Sequence, residues 1–493
     1  MDNPSMFRRR IDRFSPIAAA LFGGIAIAQA LAPYNHELLA FVAFAPLLAV
    51  STRLKALLAV GLGLLTGFVG GVAYVGWHHD AMRLFWAYLP FLWVATILAA
   101  LCLLASRLRS APPVVWMLAL ASAAVTIEFA TTLLPLPINI AVAEYRNYFL
   151  MPLAPVTGIW GVSFVVWLWN ALIASALLGR TAGVAHLGLA TLALGAAAHL
   201  LGYPVQAQDS TARYVNLIAI QDFTGDETMT LAPAPRRPVD RDEMTANAAS
   251  GTRGRPAVIV WSEECLGSGF HVDSPHDETV HLARRIDASL VVGYNDDQQP
   301  KQHNCAAWLS PDGNVLGVHH KEHLYLGESE TIQPGHGGEA FDTPVGRVGL
   351  EVCFDSNYDQ LTRDEVGKGA TLIAIPNFDP PTPRGTLHYL HSSMLPFRAA
   401  ENAVPIVKCD SNGLSQVING WGGVDAQGPL YAPATVEHIV RLGDGRGTFF
   451  TRWGDWFAWL SVAATVALLG IGGRRRTAAA EEASPQNAIS LGR

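Results

Sequence analysis

Three side chains in this sequence, Glu263, Lys321 and Cys353, have the types and the order that nucleophilic catalysis by a thiol requires. A thiol that attacks a carbonyl needs a carboxylate to accept its proton and a fixed cation to stabilise the oxyanion. Each of the three follows a short apolar run, at 258–261, 316–320 and 348–352 in turn. Because strand ends can aim side chains into a shared cleft, we predict one active site built from these residues. We also expect Lys321 to favour the thiolate form of Cys353.

The elements that position these residues are indicated by apolar runs separated by turn signals. Runs of strand type lie at 214–220, 257–261, 289–293, 305–310, 315–321, 348–353, 371–376, 405–409 and 414–418, and helical patterns at 277–286, 358–368 and 386–402. The turn Pro311-Asp312-Gly313 is a strong hairpin signal. Alternating strands and helices predict an α/β sandwich over residues 212–445.

The rest of the chain is much more apolar than this domain. Crossing a bilayer takes roughly 20 apolar residues per helix. Candidate spans lie near 14–32, 37–51, 56–77, 84–105, 112–134, 152–178, 183–203 and 455–472, the sixth with a turn at Thr157-Gly158. The sequence therefore predicts a polytopic α-helical membrane domain of about eight transmembrane helices, seven within 1–205 and one at 453–473, followed by a cytoplasmic tail at 474–493.

Orientation follows from the basic residues of the short loops, which mark the cytoplasmic side. Alternate loops and both ends carry Arg8, Arg9, Arg10, Arg13, Arg53, Lys55, Arg107, Arg109, Arg180, Arg474, Arg475 and Arg476. The other loops hold only Arg83 and Arg146. We therefore predict cytoplasmic termini and an α/β domain exported to the periplasmic face of a bacterial inner membrane.

The cysteines and the charges allow other interpretations. An oxidising compartment permits disulfides, so Cys353 could instead be half of a bridge, and pairing among Cys265, Cys305 and Cys409 is left open. The chain has no CxxC pair, and its net charge of −7 provides no basic face. We therefore predict no metal, no cofactor and no nucleic-acid partner.

Two nearby sets of residues could be mistaken for site residues. His319 and His323 are four apart, but they lie in a strand-to-loop segment and share no helical face. Glu264 adjoins Glu263, yet alternation along an extended chain points the two side chains in different directions. Neither the histidine pair nor Glu264 is assigned a role.

The order of motifs resembles the nitrilase, or carbon–nitrogen hydrolase, superfamily over roughly residues 214–440. The motifs are a strand followed by Glu263, Lys-x-His-Leu from Lys321, Gly-x-x-x-Cys-Phe-Asp around Cys353, and Arg-Ala-Ala-Glu-Asn at 398–402. The resemblance implies that Glu263 is the general base, Lys321 the oxyanion stabiliser and Cys353 the nucleophile. Glu328 matches a second glutamate that positions the lysine or substrate, and Phe354 and Asp355 follow the nucleophile as supporting residues.

The membrane spans on both sides of that domain resemble a membrane-bound branch of the superfamily, the apolipoprotein N-acyltransferases. The segment 153–170 is similar to part of that family's membrane region. The resemblance implies an acyltransferase that works at the lipid bilayer. It would move a fatty acyl chain from a phospholipid, through a cysteine thioester, to the amino terminus of a diacylglyceryl-cysteine lipoprotein.

The sequence departs from that family at four places. Trp261-Ser262-Glu263 replaces Trp-Pro-Glu, and Phe354-Asp355 replaces Tyr-Glu. The stretch from Lys321 to Glu328 is one residue short and the loop before Cys353 is trimmed, while Phe-Asp-Pro-Pro at 378–381 replaces an aromatic pair. These loops should shape the substrate cleft. A membrane-tethered amidase or nitrilase that hydrolyses a C–N bond, and a transporter or sensor with a non-catalytic domain, therefore stay as alternatives.

Overall fold

The computed structural model describes residues 15–76, 81–134, 137–202, 213–223, 240–252, 256–270, 277–297, 301–380 and 385–482. The chain divides into two compact units. One comprises Met1–Glu144, Ile159–Ala197 and Asp455–Arg493, and the other Tyr145–Gly158 and Ala198–Gly454. The arginines expected before the first span and the tail beyond residue 482 lie outside the described residues.

The first unit is built of apolar helices. The helices of this part of the chain are Pro16–Ala30, Ala45–Ser51, Ala56–Val75, Ala81–Arg107, Pro113–Thr131, Ile159–Leu177, Val184–Gly202 and Trp456–Glu482, with 3₁₀ turns at Glu37–Leu39 and Ile140–Glu144. Within the described ranges, four are long and apolar enough to cross a membrane: Ala56–Val75, Ala87–Arg107, Pro113–Thr131 and Ile159–Leu177. Pro16–Ala30, Val184–His199 and Trp456–Ile471 are shorter apolar helices. The predicted helical membrane domain is confirmed, whereas the count of eight spans is not.

The predicted span at 37–51 is wrong. Its helix, Ala45–Ser51, has seven residues and is only about 10 Å long. The backbone just before this helix is not helical and is hydrogen-bonded by the side chain of Asn170. The Asn170 amide accepts from the N–H of Phe44 at 2.8 Å and donates to the carbonyl of Ala40 at 2.7 Å. Hydrocarbon offers no partners to non-helical backbone, so this buried amide supplies them.

The sixth predicted span, 152–178, contains the break expected at Thr157-Gly158. Gly158 has a φ of 65° and ends the short helix Ala154–Thr157. A Cβ at this glycine would lie 2.3 Å from the ring of Phe450, so both conformation and space require glycine. The long helix therefore begins only at Ile159.

The second unit contains two six-stranded sheets. In chain order the strands are β1 (Tyr214–Gln221), β2 (Ala257–Val260), β3 (Ser289–Asp296), β4 (His303–Leu309), β5 (Val315–His320), β6 (Ala340–Thr343), β7 (Gly346–Leu350), β8 (Leu372–Asn377), β9 (Ile406–Asp410), β10 (Gln416–Ile418), β11 (Val424–Gln427) and β12 (Ala434–Arg441). Its helices are Ala154–Thr157, Arg241–Ser250, Asp277–Ile286, Asp359–Gly367, Thr386–Ser392, Leu395–Asn402 and Phe449–Trp453, with 3₁₀ turns at Met151–Leu153, Gly267–Gly269, Glu328–Glu330 and Cys353–Asn357.

The two sheets pack face to face and carry helices on their outer sides. One has the order β12-β1-β2-β3-β4-β5 and the other β11-β10-β9-β8-β7-β6, with β1–β3 and β7–β9 parallel in the middle of each. β1 lies against β9, and β3 against β8. Apolar side chains of Arg241–Ser250 and Asp277–Ile286 cover the first sheet, and those of Leu395–Asn402 cover the second. The predicted α/β sandwich is confirmed, with its layers in the order α-β-β-α.

Candidate active site

The structure places the three predicted residues just beyond strands of both sheets. Glu263 lies three residues after β2, Lys321 directly follows β5, and Cys353 lies three residues after β7. β2 and β5 belong to one sheet and β7 to the other, and the N–H of Glu263 bridges them by donating to the carbonyl of Asn377 at 3.3 Å. The relative exposures of Glu263, Lys321 and Cys353 are 7%, 0% and 6%. All three side chains are therefore buried, and the charges of Glu263 and Lys321 act on the Cys353 thiol.

Lys321 is paired with two carboxylates. Its Nζ donates to Glu263 Oε1 at 2.9 Å and to Glu328 Oε1 at 2.7 Å. The other oxygen of Glu328 accepts from the N–H of Tyr325 at 2.8 Å, across a turn in which Gly327 has a φ of 90°. Burial alone would lower the pKa of Lys321, but the neighbouring negative charges, Glu263 first, raise it well above its ordinary value. The ammonium is therefore charged and fixed in direction.

Glu263 has a second donor that the sequence did not reveal. Asn304, on β4, donates its Nδ2 to the same Oε1 that Lys321 contacts, at 2.6 Å. Burial raises the pKa of Glu263, and Lys321 acts in the opposite direction. A carboxylate with a raised pKa can take a proton from a thiol and return it later in a reaction.

Cys353 begins the 3₁₀ turn Cys353–Asn357 with a φ of 49°, a left-handed conformation that is costly for any residue with a Cβ. Its Sγ lies 3.7 Å from the carbonyl oxygen of Phe378. Burial raises the pKa of Cys353 well above its ordinary value, and Glu263 raises it further, while Lys321 lowers it. The expectation that Lys321 favours the thiolate is confirmed in direction, but burial and the nearby carboxylates outweigh that one ammonium. The resting residue is a neutral thiol whose proton has to leave during attack.

Asp355, expected as a supporting residue, links the segment of the lysine to that of the cysteine. Its Oδ1 accepts from the N–H groups of Glu322 and His323 at 3.1 and 2.7 Å. Its Oδ2 accepts from the N–H of Val352 at 3.1 Å and lies 2.9 Å from His319 Nε2. Burial would raise the pKa of Asp355, but the hydrogen bonds from the two histidines hold it well below its usual range. His319 and His323 are therefore hydrogen-bond partners of the Asp355 carboxylate.

Phe354, the other supporting residue, belongs to an aromatic group beside the thiol. Its ring meets the ring of Tyr325 edge to face at 5.3 Å and that of Tyr358 at 5.7 Å. Burial, followed by the charges of Asp379 and Cys353, raises the pKa of Tyr325 to about 12. A neutral phenol and apolar rings therefore flank the site on this side.

A second buried charged cluster, which no pattern in the sequence predicted, adjoins Cys353. Asp379 Oδ1 lies 2.7 Å from His391 Nδ1, and its Oδ2 lies 3.5 Å from His388 Nδ1 and 3.7 Å from Lys408 Nζ. Lys408 also lies 3.3 Å from Asp410 Oδ2. Burial would raise the pKa of Asp379, but the charges of His391 and Lys408 hold it well below its usual range. The side of the nucleophile that faces β8 and β9 is therefore charged as well.

All five cysteines are free, so the pairing left open by the sequence is not formed. Cys265 donates instead to the carbonyl of Gly293 at 3.3 Å, and Cys305 to that of His303 at 3.4 Å. Burial raises the pKa of both thiols to about 12. Across the described ranges, no three His, Cys, Asp or Glu side chains are grouped as metal ligands would be.

Comparison with known proteins identifies both parts of the chain. Residues 263–437 match the family model of the carbon–nitrogen hydrolases, and residues 23–172 match that of the apolipoprotein N-acyltransferase N-terminal domain. An apolipoprotein N-acyltransferase of Geobacter metallireducens is 27% identical over 512 residues, covering 93% of this chain and 95% of the relative.

Other relatives match a smaller share of the chain. Omega-amidase NIT2 of Bos taurus is 32% identical over 37% of this chain and 75% of its own length, and the Homo sapiens protein of the same name is 30% identical over the same shares. The chain therefore belongs to the carbon–nitrogen hydrolase, or nitrilase, superfamily and is a homologue of the apolipoprotein N-acyltransferases.

Proposed function

We propose that this protein is an apolipoprotein N-acyltransferase that uses Cys353 as nucleophile, Glu263 as general base and Lys321 as oxyanion stabiliser. The observation that carries the proposal is the likeness to an apolipoprotein N-acyltransferase over 93% of the chain, helical part included. The buried contact of Lys321 with Glu263, beside a neutral thiol, supports the assignment of roles. The acyl donor is a membrane phospholipid and the acceptor is the amino terminus of a diacylated lipoprotein.

In the first half-reaction the thiol of Cys353 attacks the ester carbonyl of the phospholipid. Glu263 accepts the thiol proton as the C–S bond forms, and Lys321 balances the negative charge on the carbonyl oxygen. When the ester C–O bond breaks, the proton on Glu263 passes to the departing alkoxide, which leaves as a lysophospholipid. A raised pKa of Glu263 supports this exchange, because the carboxyl must hold the proton between the two events.

In the second half-reaction the free amine of the acceptor attacks the thioester. Glu263 removes a proton from the attacking nitrogen, and Lys321 again balances the oxyanion. Collapse of this intermediate forms the amide and breaks the C–S bond, and the proton held by Glu263 returns to the sulfur. The cycle restores the neutral thiol that the buried site favours.

The catalytic domain is proposed to face the periplasm, from the basic residues at helix ends. Arg53 and Lys55 precede the helix Ala56–Val75, and Arg107 ends the next helix. From there the chain has three further apolar helices before β1, with Arg180 after the second of them. Placing these basic residues in the cytoplasm puts the sandwich on the opposite side.

The amidase alternative is less favoured. Its relatives match 37% of the chain, whereas the apolipoprotein N-acyltransferase matches 93%, which takes in the helical part as well. A hydrolase of small soluble substrates has no need of that part, whereas an enzyme with a lipid donor and a lipidated acceptor must meet both at the bilayer.

The test is to incubate the purified full-length protein in detergent with phospholipid and a synthetic diacylated lipopeptide, and to follow both by mass spectrometry. We expect an acyl adduct on the Cys353 peptide with phospholipid alone, and a triacylated peptide once the acceptor is added. Cys353→Ala should form neither product, and Cys305→Ala serves as the matched control. Release of free fatty acid without peptide acylation would support the hydrolase, and an adduct that persists in Cys353→Ala would overturn the assignment of the nucleophile.

A further inference from the structure

Ser356 lies between the backbone of the nucleophile and a histidine. Its Oγ is 2.9 Å from the carbonyl oxygen of Cys353 and 3.3 Å from His391 Nε2, and the residue is fully buried. A serine hydroxyl has one proton to donate. It can therefore donate fully to the carbonyl or to the ring nitrogen, but not to both.

Which acceptor receives that proton depends on His391. Its Nδ1 lies 2.7 Å from Oδ1 of Asp379, which is held in the ionised form and can only accept, so Nδ1 carries a proton. In the charged ring Nε2 is also a donor, and the Ser356 hydroxyl is then left to the carbonyl. In the neutral ring Nε2 is an acceptor that competes for the hydroxyl.

The groups that face this histidine are charged and buried. Asp379 contacts it directly, and Lys408 and His388 approach the other oxygen of Asp379, at 3.7 and 3.5 Å. Asp410 in turn lies 3.3 Å from Lys408. The charges of Asp379 and Lys408 therefore lie in the protein interior beside the ring.

The carbonyl at the far end of this chain of contacts belongs to a strained residue. Cys353 has a φ of 49°, and such a conformation persists only where the surroundings hold it. The Ser356 hydroxyl holds its carbonyl, while the carbonyl of Phe378, next to Asp379, lies 3.7 Å from its sulfur. The contacts from Cys353 through Ser356 and His391 to Asp379 thus close a ring around the nucleophile.

We propose that His391 is a positioning residue for Cys353, acting through Ser356. When the ring is protonated, the Ser356 hydroxyl donates to the Cys353 carbonyl, and this hydrogen bond keeps the thiol in its orientation. The neutral ring withdraws the hydroxyl and loosens the turn. The proposal concerns the reactivity of the thiol itself and therefore does not depend on which acyl donor or acceptor the enzyme uses.

The test is the rate of alkylation of Cys353 by iodoacetamide in the full-length protein across a range of pH, read from the mass of the Cys353 peptide. The variants are Ser356→Ala, which removes the link, and His391→Asn, whose amide keeps a donor for Asp379 but does not reach Ser356. Ser393→Ala removes another buried hydroxyl, one that bonds the carbonyl of Tyr389 at 2.6 Å, and is the matched control. Thermal unfolding of each variant checks that it is folded.

At low pH we expect wild type to react about tenfold faster than Ser356→Ala, the effect of one net hydrogen bond. That ratio should fall toward one as the pH rises and the ring loses its proton. His391→Asn should keep the faster rate at every pH, because nothing then competes for the hydroxyl. The variant that combines Ser356→Ala with His391→Asn should be alkylated at the same rate as Ser356→Ala alone, since both changes act on one link.

Three results would overturn the proposal. One is a Ser356→Ala rate equal to that of wild type and of Ser393→Ala. Another is a His391→Asn rate as low as that of Ser356→Ala, which would mean that the ring only supports the fold. The third is a wild-type to Ser356→Ala ratio that does not change with pH. If His391→Asn does not fold, the pH dependence of the ratio between wild type and Ser356→Ala still decides the question.

Discussion

Lys321 Nζ lies 2.9 Å from Glu263 Oε1, and the two residues are almost fully buried. The cation and the base that the proposed chemistry needs therefore neutralise each other in the resting enzyme. Removing Lys321 leaves Glu263 as an uncompensated buried charge, whereas removing Glu263 leaves Lys321 with Glu328 as its remaining carboxylate partner. A substitution at one position thus affects both proton transfer and oxyanion stabilisation, and variants must be chosen to separate them.

Lys321→Ala should slow acyl-enzyme formation by roughly 10²–10³, the typical cost of losing an oxyanion donor. The measurement is single-turnover formation of the acyl adduct with phospholipid alone. Lys368→Ala is the control, because that ammonium bonds Glu339 at a half-exposed position. A Lys321→Ala rate within a few-fold of wild type would remove Lys321 from the mechanism.

Glu263→Gln should change two measured rates in opposite directions. The negative charge of Glu263 is among the factors that raise the pKa of Cys353, so its removal should lower that pKa and speed alkylation near neutrality. Acyl-enzyme formation should fall steeply, because no base remains to take the proton. The exposed neighbour gives the matched control, Glu264→Gln, which should leave both rates close to wild type. A parallel fall in both rates would instead indicate general damage.

Asn304→Ala should move the acid limb of the pH–rate profile to higher pH. Asn304 donates to the carboxylate of Glu263 and so stabilises its charged form, and its loss should raise the already raised pKa further. Only the ionised carboxylate can act as base, so a higher pH is then needed for activity. Acyl-enzyme formation measured across pH checks this, with exposed Asn314→Ala as control. An unshifted acid limb would show that Glu263 does not govern it.

Asp355→Asn should destabilise the protein by roughly 3 kcal/mol, because a buried carboxylate with several donors loses its charge. The pKa of Asp355 is held below its ordinary value in the folded state. Its stabilisation is therefore complete above the unfolded value, near 3.9, and is lost as the pH falls toward the folded value. Thermal unfolding as a function of pH should show a weaker acid dependence in Asp355→Asn. Asp342→Asn, on an exposed pair with Arg347, should behave as wild type.

The features that could be predicted from the sequence are those with local patterns. Apolar runs with turn signals predicted the central strands. They also predicted that Glu263, Lys321 and Cys353 lie just beyond the ends of β2, β5 and β7. β12 was not predicted, because few of its side chains are buried and its sequence shows no apolar run. Its position is fixed by antiparallel pairing with β1, some 200 residues earlier in the chain. The helical pattern at 386–402 is two helices, Thr386–Ser392 and Leu395–Asn402.

Parts of the site that depend on tertiary contacts gave no such pattern. Asn304 is one amide within a strand, and a lysine such as Lys408 is expected at the surface, yet it is fully buried. The one relevant signal was the unusual Phe-Asp-Pro-Pro at 378–381, which contains Asp379. Likewise, only the fold shows that Asn170 contacts the backbone near residue 42, where hydropathy alone predicted a continuous span.

Asp355 also sets a length. It joins the turn of Cys353 to the backbone of residues 322 and 323. A glutamate is longer than an aspartate by one methylene, roughly 1.5 Å. The side chain of Asp355 therefore sets how far the segment that follows Lys321 lies from the turn that carries the thiol. Asp355→Glu, with its charge unchanged, would move the ammonium relative to the sulfur.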